Sequence, residues 1–168
     1  MKKNLLSLVV VLGLTPLASF AATSTFQIHG SQCESSSDIT RDQWGASIGT
    51  PYPYGPTSSG QATLRCPFTI DSTFRPTYAW MVVRAYDRHP NVNVTCTLSA
   101  TDSAGNLFGS ATGGTTSYGD PLKSFQVGGP LNLANPLSAK YFYATCTIPQ
   151  AYNSVRSHLT TLDLNLSN

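Results

Sequence analysis

Where the cysteines fall constrains this chain more than any other feature. In the run Val92 to Leu98, polar residues alternate with Val92, Val94, Cys96 and Leu98. In Phe142 to Ile148, Cys146 shares its parity with Phe142, Ala144 and Ile148, and Cys66 shares one with Leu64, Phe68 and Ile70. A period of two belongs to a β-strand, whose successive side chains point to opposite faces. Three cysteines are therefore expected to point into an apolar core from three strands, whereas Cys33 lies in a polar stretch. The cysteines stand 33, 30 and 50 positions apart, unlike the close pairs of a zinc site, so the expected role is disulfide bonding. Four cysteines allow three pairings. The matching strand settings of Cys96 and Cys146 favour a bridge between them within the core, leaving Cys33 to staple the N-terminal segment to Cys66. Loop-closure entropy assigns roughly 4 kcal/mol to each bridge.

Disulfides persist in oxidising compartments, and the N-terminus agrees. Met1-Lys2-Lys3-Asn4 precedes an apolar run from Leu5 to Leu14, Pro16 breaks it, and Ser19-Phe20-Ala21 offers small residues at the positions a signal peptidase reads. Ten apolar residues are too few for a membrane span, which needs about 20. The reading is a signal peptide over residues 1–21 and one domain over 22–168, with the mature chain starting at Ala22. Intact-mass measurement of exported protein checks this, and retention of the apolar segment would contradict it. Removing 21 of 168 residues leaves 147, and Lys2 and Lys3 depart with them, so eight basic residues face eight acidic ones. A formally neutral chain lacks the basic surplus that phosphate binding needs, so nucleic acid is not an expected partner. The expected residence is periplasmic or extracellular, with no membrane span.

The mature chain has no sustained 3.6-residue apolar period. Alternating runs predict strands over Phe26–His29, Ala62–Ile70, Thr77–Tyr86, Val92–Ala100, Leu107–Ala111, Leu122–Val127, Tyr141–Ile148 and Ser157–Leu166. Short links at Asp87–Asn91 and Asp102–Asn106 suit hairpins, the second supplied with Gly105-Asn106. About eight strands at this spacing predict an all-β antiparallel sandwich stapled by two disulfides. An eight-stranded membrane barrel needs continuously apolar outward faces, which Arg84, Thr95, Thr97 and Thr145 interrupt. Two polar stretches, Ser35–Ser59, rich in Gly and Pro, and Gly109–Gly119, almost all Gly, Ser and Thr, are expected to be long surface loops. Trp80 alternates with Tyr78 and Val82 on a strand apolar on both faces, and is expected to be mostly buried.

Titratable groups are scarce: one Glu (Glu34), seven Asp and three His. The chain contains no H-E-x-x-H, and no catalytic residue, metal site or cofactor is assigned from motifs. Asp102 to Asn106 offers too few oxygens for calcium and is expected to be a turn. Arg84, Asp87, Arg88 and His89 form the richest local cluster, expected to be a solvated strand end running into a Pro-containing turn. Pro51-Tyr52-Pro53-Tyr54-Gly55-Pro56 sets two aromatic rings on a stretch stiffened by proline, which makes Tyr52 and Tyr54 candidate ligand-binding residues. Packing of both rings against their own fold is the competing account.

Gly30-Ser31-Gln32-Cys33, Cys66-Pro67, Asp87 followed by Val94-Thr95-Cys96-Thr97-Leu98, and Tyr141 to Pro149 ending Cys-Thr-Ile-Pro occur in that order. In this pattern the chain resembles a group of small exported bacterial proteins of uncharacterised function. The resemblance implies export, four structural cysteines and a β fold, and brings no activity. The expected function is therefore a binding or structural module at the cell envelope or outside the cell. A glycan or a cell-surface protein is its expected partner. The alternative is a small secreted hydrolase that assembles a His/Asp/Ser site in space from His89 or His158.

Overall fold

The computed structural model describes residues 23–35, 61–70, 76–133, 141–153 and 155–167. Its strands are β1 (Thr23–His29), β2 (Glu34–Ser35), β3 (Ala62–Phe68), β4 (Tyr78–Asp87), β5 (Thr95–Thr101), β6 (Leu107–Gly114), β7 (Gly119–Asn132), β8 (Tyr141–Ile148) and β9 (His158–Ser167). One 3-10 turn, Gly30–Gln32, separates β1 from β2. Two antiparallel sheets form, in the orders β1-β9-β4-β7 and β2-β3-β8-β5-β6. The all-β sandwich expected from alternation is the observed architecture.

The pairing has a simple logic. With the two-residue β2 set aside, the first long strand pairs with the last (β1 with β9), and the second with the second-last (β3 with β8). The third pairs with the third-last (β4 with β7), and the two middle strands pair with each other (β5 with β6). This is one long antiparallel hairpin, tipped by the β5–β6 turn and rolled over so that β4–β9 and β5–β8 also join. Such a rolled hairpin is a jelly roll, one of the ways an all-β chain limits its exposed edges.

Alternation explains which side of each strand is buried. Leu64, Cys66 and Phe68 on β3, Met81 and Val83 on β4, Cys96 and Leu98 on β5, Phe142 and Ile148 on β8, and Leu162, Leu164 and Leu166 on β9 form the core between the sheets. The outward parity carries Thr63, Arg65, Thr95, Thr97, Tyr143, Thr145 and Thr147 on one sheet and Trp80, Val82, Arg84 and Asn165 on the other. Trp80 is thus half-buried on the outward face of a central strand, not in the core. Ala79 and Met81, one position either way, are the fully buried ones. Both parities of this strand are apolar in sequence, so pattern alone did not choose between them.

Both disulfides, Cys33–Cys66 and Cys96–Cys146, join as expected. They run between neighbouring strands of a single sheet. Cys96 and Cys146 face each other in the β5–β8 register, with Cα atoms 4.0 Å apart. Cys33 stands one residue before Glu34, which opposes Arg65, so Cys33 comes opposite Cys66.

The Gly109–Gly119 stretch corrects the sequence reading. Its first part is the edge strand β6, and Gly119 opens β7. Glycine is depleted in strands for entropic reasons, but here it is required by close approach. A Cβ on Gly113 would stand 2.5 Å from the Gln126 carbonyl oxygen and 3.0 Å from Val127 Cα, where β6 meets β7 across the sandwich edge. Gly128, at φ +64°, would bring a Cβ within 2.3 Å of Ala111 Cβ. Gly113→Ala is therefore expected to destabilise by about 2 kcal/mol through a forced backbone shift, read as a lower denaturant midpoint. An unchanged midpoint would show that β6 and β7 tolerate separation.

Candidate functional site

The Asp87 cluster was the chemically richest stretch of the sequence, and the structure divides it. Arg84 points outward from β4 and forms an ion pair with Asp163 on β9, whose other carboxylate oxygen accepts from Gln27 Nε2 at 2.7 Å. Asp87 points inward and is fully buried, and His89 is 8% exposed. The expectation of a solvated strand end is overturned for these two residues.

Their hydrogen bonds explain the burial. Asp87 accepts from the backbone N–H of His89 and Val94, each at 3.2 Å, and from the Thr115 hydroxyl. Thr115 Oγ1 in turn accepts from the Val94 N–H at 3.1 Å, and the Thr115 N–H donates to the Val94 carbonyl at 3.0 Å. The end of β4 is thereby clasped to the start of β5 and the end of β6, which belong to the opposite sheet. A buried carboxylate is tolerable when donors surround it in this way.

His89 Nδ1 accepts the N–H groups of Asn91 and Val92 at 3.2 and 3.0 Å, closing the turn that follows β4. That geometry fixes the proton on Nε2. In a Ser-His-Asp triad Nδ1 is the donor and faces the aspartate. Ser157 Oγ accepts from the Arg88 N–H at 2.9 Å, and the His158 ring lies 4.7 Å from the Tyr86 ring. Ser157 and His89 thus cap backbone, and His158 packs its ring against Tyr86. Proximity without triad polarity makes the cluster a clasp between sheets.

A different constellation lies on the outward face of the second sheet. Tyr141 and Tyr143 sit two residues apart on β8 and so point to the same side. Tyr141 is 56% exposed, and the Arg65 guanidinium lies over the Tyr143 ring, 4.5 Å from its centre. Glu34 opposes Arg65 from β2. With Pro67, Thr101, Asp102, Ser103 and Gly105, these residues line a groove of about 490 Å³ at the end of the sheet. The β5–β6 turn forms one wall. It is held by Asp102, whose carboxylate accepts from the N–H groups of Ala104 and Asn106 and from Asn106 Nδ2, all at 2.8 Å.

The Asn106 side chain is the main cause that holds the Asp102 carboxyl below its usual 3.8. A depressed folded value means that the turn's stabilisation is complete above about pH 3.8 and is lost only as pH falls further. Amide protection in this turn is accordingly expected to hold from neutral pH down to about 4. Loss between pH 6 and 5 would contradict it.

Tyr52 and Tyr54 lie outside the described residues. Arg65, Tyr141 and Tyr143 were not singled out by the sequence reading. Their signal was present in the outward parity of β3 and β8, but which strands adjoin is a matter of topology. Among the described residues no group of three His, Cys, Asp or Glu is placed to hold a metal ion, and no helix is long and apolar enough to cross a membrane.

No family model matches the chain, and no curated protein matches it. Solved structures do resemble it. The bacteriophage CBA120 tailspike protein 4 enzymatically active domain is similar at 10% identity and a TM-score of 0.46 over 87% of this chain. A structure of infectious bursal disease virus, Gx strain, is similar at 9% identity and a TM-score of 0.48 over 95% of the chain. Dimeric latent PorU from Porphyromonas gingivalis is similar at 14% identity and a TM-score of 0.42 over 93%. The chain spans 19%, 37% and 14% of the length of those three chains.

Proposed function

We propose that the chain is an exported glycan-binding module whose ligand sits in the groove beside Tyr141 and Tyr143. The observation that carries this reading is the stacking of Arg65 on Tyr143 next to the exposed Tyr141 ring. Sugars present an apolar face of C–H groups and a rim of hydroxyls. Aromatic rings match the first, and fixed donors and acceptors match the second. The Arg65 guanidinium, spread over a ring, offers several N–H donors in a set plane. Rigidity supports the same reading. Cys66, next to Arg65, and Cys146, on the strand that carries both tyrosines, are disulfide-bonded, so little ordering is left to lose on binding. Export rests on the N-terminal pattern of residues 1–21 together with the two disulfides.

Tyr52 and Tyr54 are a second candidate contact. In sequence they fall between β2, which ends at Ser35, and β3, which begins at Ala62.

Retention of mature protein on insoluble polysaccharides tests the proposal. Tyr143→Ala and Arg65→Ala are expected to abolish retention with little change in thermal midpoint, because both side chains face outward. Tyr52→Ala with Tyr54→Ala is expected to weaken retention without abolishing it. Wild-type retention that persists in Tyr143→Ala would remove the groove as the site.

A further inference from the structure

The groove continues into a grid of hydroxyl groups that crosses four of the sheet's five strands. The registers align Arg65, Thr145, Thr97 and Thr112 in one row over β3, β8, β5 and β6. Thr63, Thr147 and Thr95 form the next row, one residue pair further along the strands. None of these threonines is buried, and each points away from the core. The Thr-Cys-Thr runs on β5 and β8 are opposed through Cys96 and Cys146, so the bridge sits directly behind the centre of the grid and fixes its spacing. Thr97 and Thr112 share a hydrogen bond of 2.8 Å between their hydroxyls, which aligns two neighbouring positions of the row.

From this grid, and resting on the glycan reading of the groove, we infer that the ligand is an extended, neutral, β-linked polysaccharide chain lying across the strands, one sugar to each strand. Neighbouring strands stand about 4.8 Å apart, close to the advance per sugar of a fully extended β-linked glycan. A chain that starts on Tyr143 and Arg65 meets one threonine hydroxyl and one methyl group per sugar as it passes Thr145, Thr97 and Thr112. Each hydroxyl accepts and donates, as a sugar rim requires. The chemistry of the face also argues for a neutral ligand. Its rows carry a single cation, Arg65, and the carboxylate of Glu34 opposes it. A chain bound at several points along its length is held through its interior, so its ends do not matter.

Calorimetric titration of mature protein with β-1,4-linked xylo-, cello- and chito-oligosaccharides of two to six sugars tests this. In the series that binds, affinity is expected to rise with each sugar up to about four, the number of aligned strands, and then to level off. Thr97→Val keeps the shape and the methyl groups but removes the hydroxyl. It is expected to weaken tetrasaccharide binding about fivefold while leaving disaccharide affinity and the thermal midpoint unchanged, and Thr97→Ser is expected to restore the tetrasaccharide affinity. Equal affinity for the disaccharide and the hexasaccharide, or a Thr97→Val variant that binds the tetrasaccharide like wild type, would overturn the extended-chain mode and leave the groove reading intact. Failure of wild type to bind any member of the three series, together with no retention on the parent polysaccharides, would overturn both.

Discussion

Replacing Cys96 and Cys146 together by alanine is expected to lower unfolding stability by about 4 kcal/mol, through the entropy that the 50-residue loop regains in the unfolded chain. Both residues are fully buried, so small voids add to the loss. Reduction of wild-type protein separates the two contributions, since it frees the loop and keeps the sulfur atoms. With a total stability of about 5–15 kcal/mol for a domain of this size, one bridge is a large fraction of it. The matching loss from the Cys33–Cys66 bridge is expected to be somewhat smaller, because its loop is 33 residues and Cys33 is half-buried at the sheet edge. Denaturant midpoints of the oxidised, reduced and double-alanine forms decide this. A reduced protein as stable as the oxidised one would refute it.

Asp87→Ala is expected to be comparably severe, with a loss of about 3–5 kcal/mol. The carboxylate accepts the His89 N–H, and it shares the Val94 N–H with Thr115. Its removal leaves buried donors without acceptors and unfastens β4 from the opposite sheet. Asp87→Asn keeps one acceptor oxygen but turns the other position into a donor facing the Val94 N–H, so an intermediate loss is expected. The order wild type, Asn, Ala in chemical denaturation is the diagnostic result. An Ala variant within 1 kcal/mol of wild type would mean that water replaces the clasp at no cost.

The elements that were legible in the sequence are those whose two faces meet different surroundings. Tyr141–Ile148 was bounded to the residue because its apolar parity faces the core and its polar parity faces outward. The bridges were legible for a related reason: Cys96 and Cys146 share a parity with core residues, and two such cysteines on adjacent strands can meet. That each pair lies within one sheet follows from register, which local pattern does not carry.

Two errors have one physical source. Ending one strand at Ala111, short of Gly113 and Gly114, and the following strand at Val127 both assumed that glycine marks a break. In fact Gly113 and Gly128 are where β6 and β7 come too close for a Cβ. Asp87 and His89 looked solvated because charged residues before a proline usually are. Asp87 is buried against Thr115 and Val94, and the His89 ring meets Tyr152, partners that the fold brings in. The groove was hidden for the same reason, since Arg65 and Tyr143 lie 78 positions apart and meet only because the second long strand pairs with the second-last.

A titration of isotope-labelled mature protein with a β-1,4-linked tetrasaccharide, followed by amide and side-chain NMR shifts, tests the central claim most directly. The account predicts shifts concentrated on Arg65, Tyr141, Tyr143, Thr145, Thr97 and Thr112, with Tyr78, Trp80 and Gln126 on the opposite sheet unmoved. Shifts that fall on the Trp80 face, or that scatter over the surface without saturating, would contradict it.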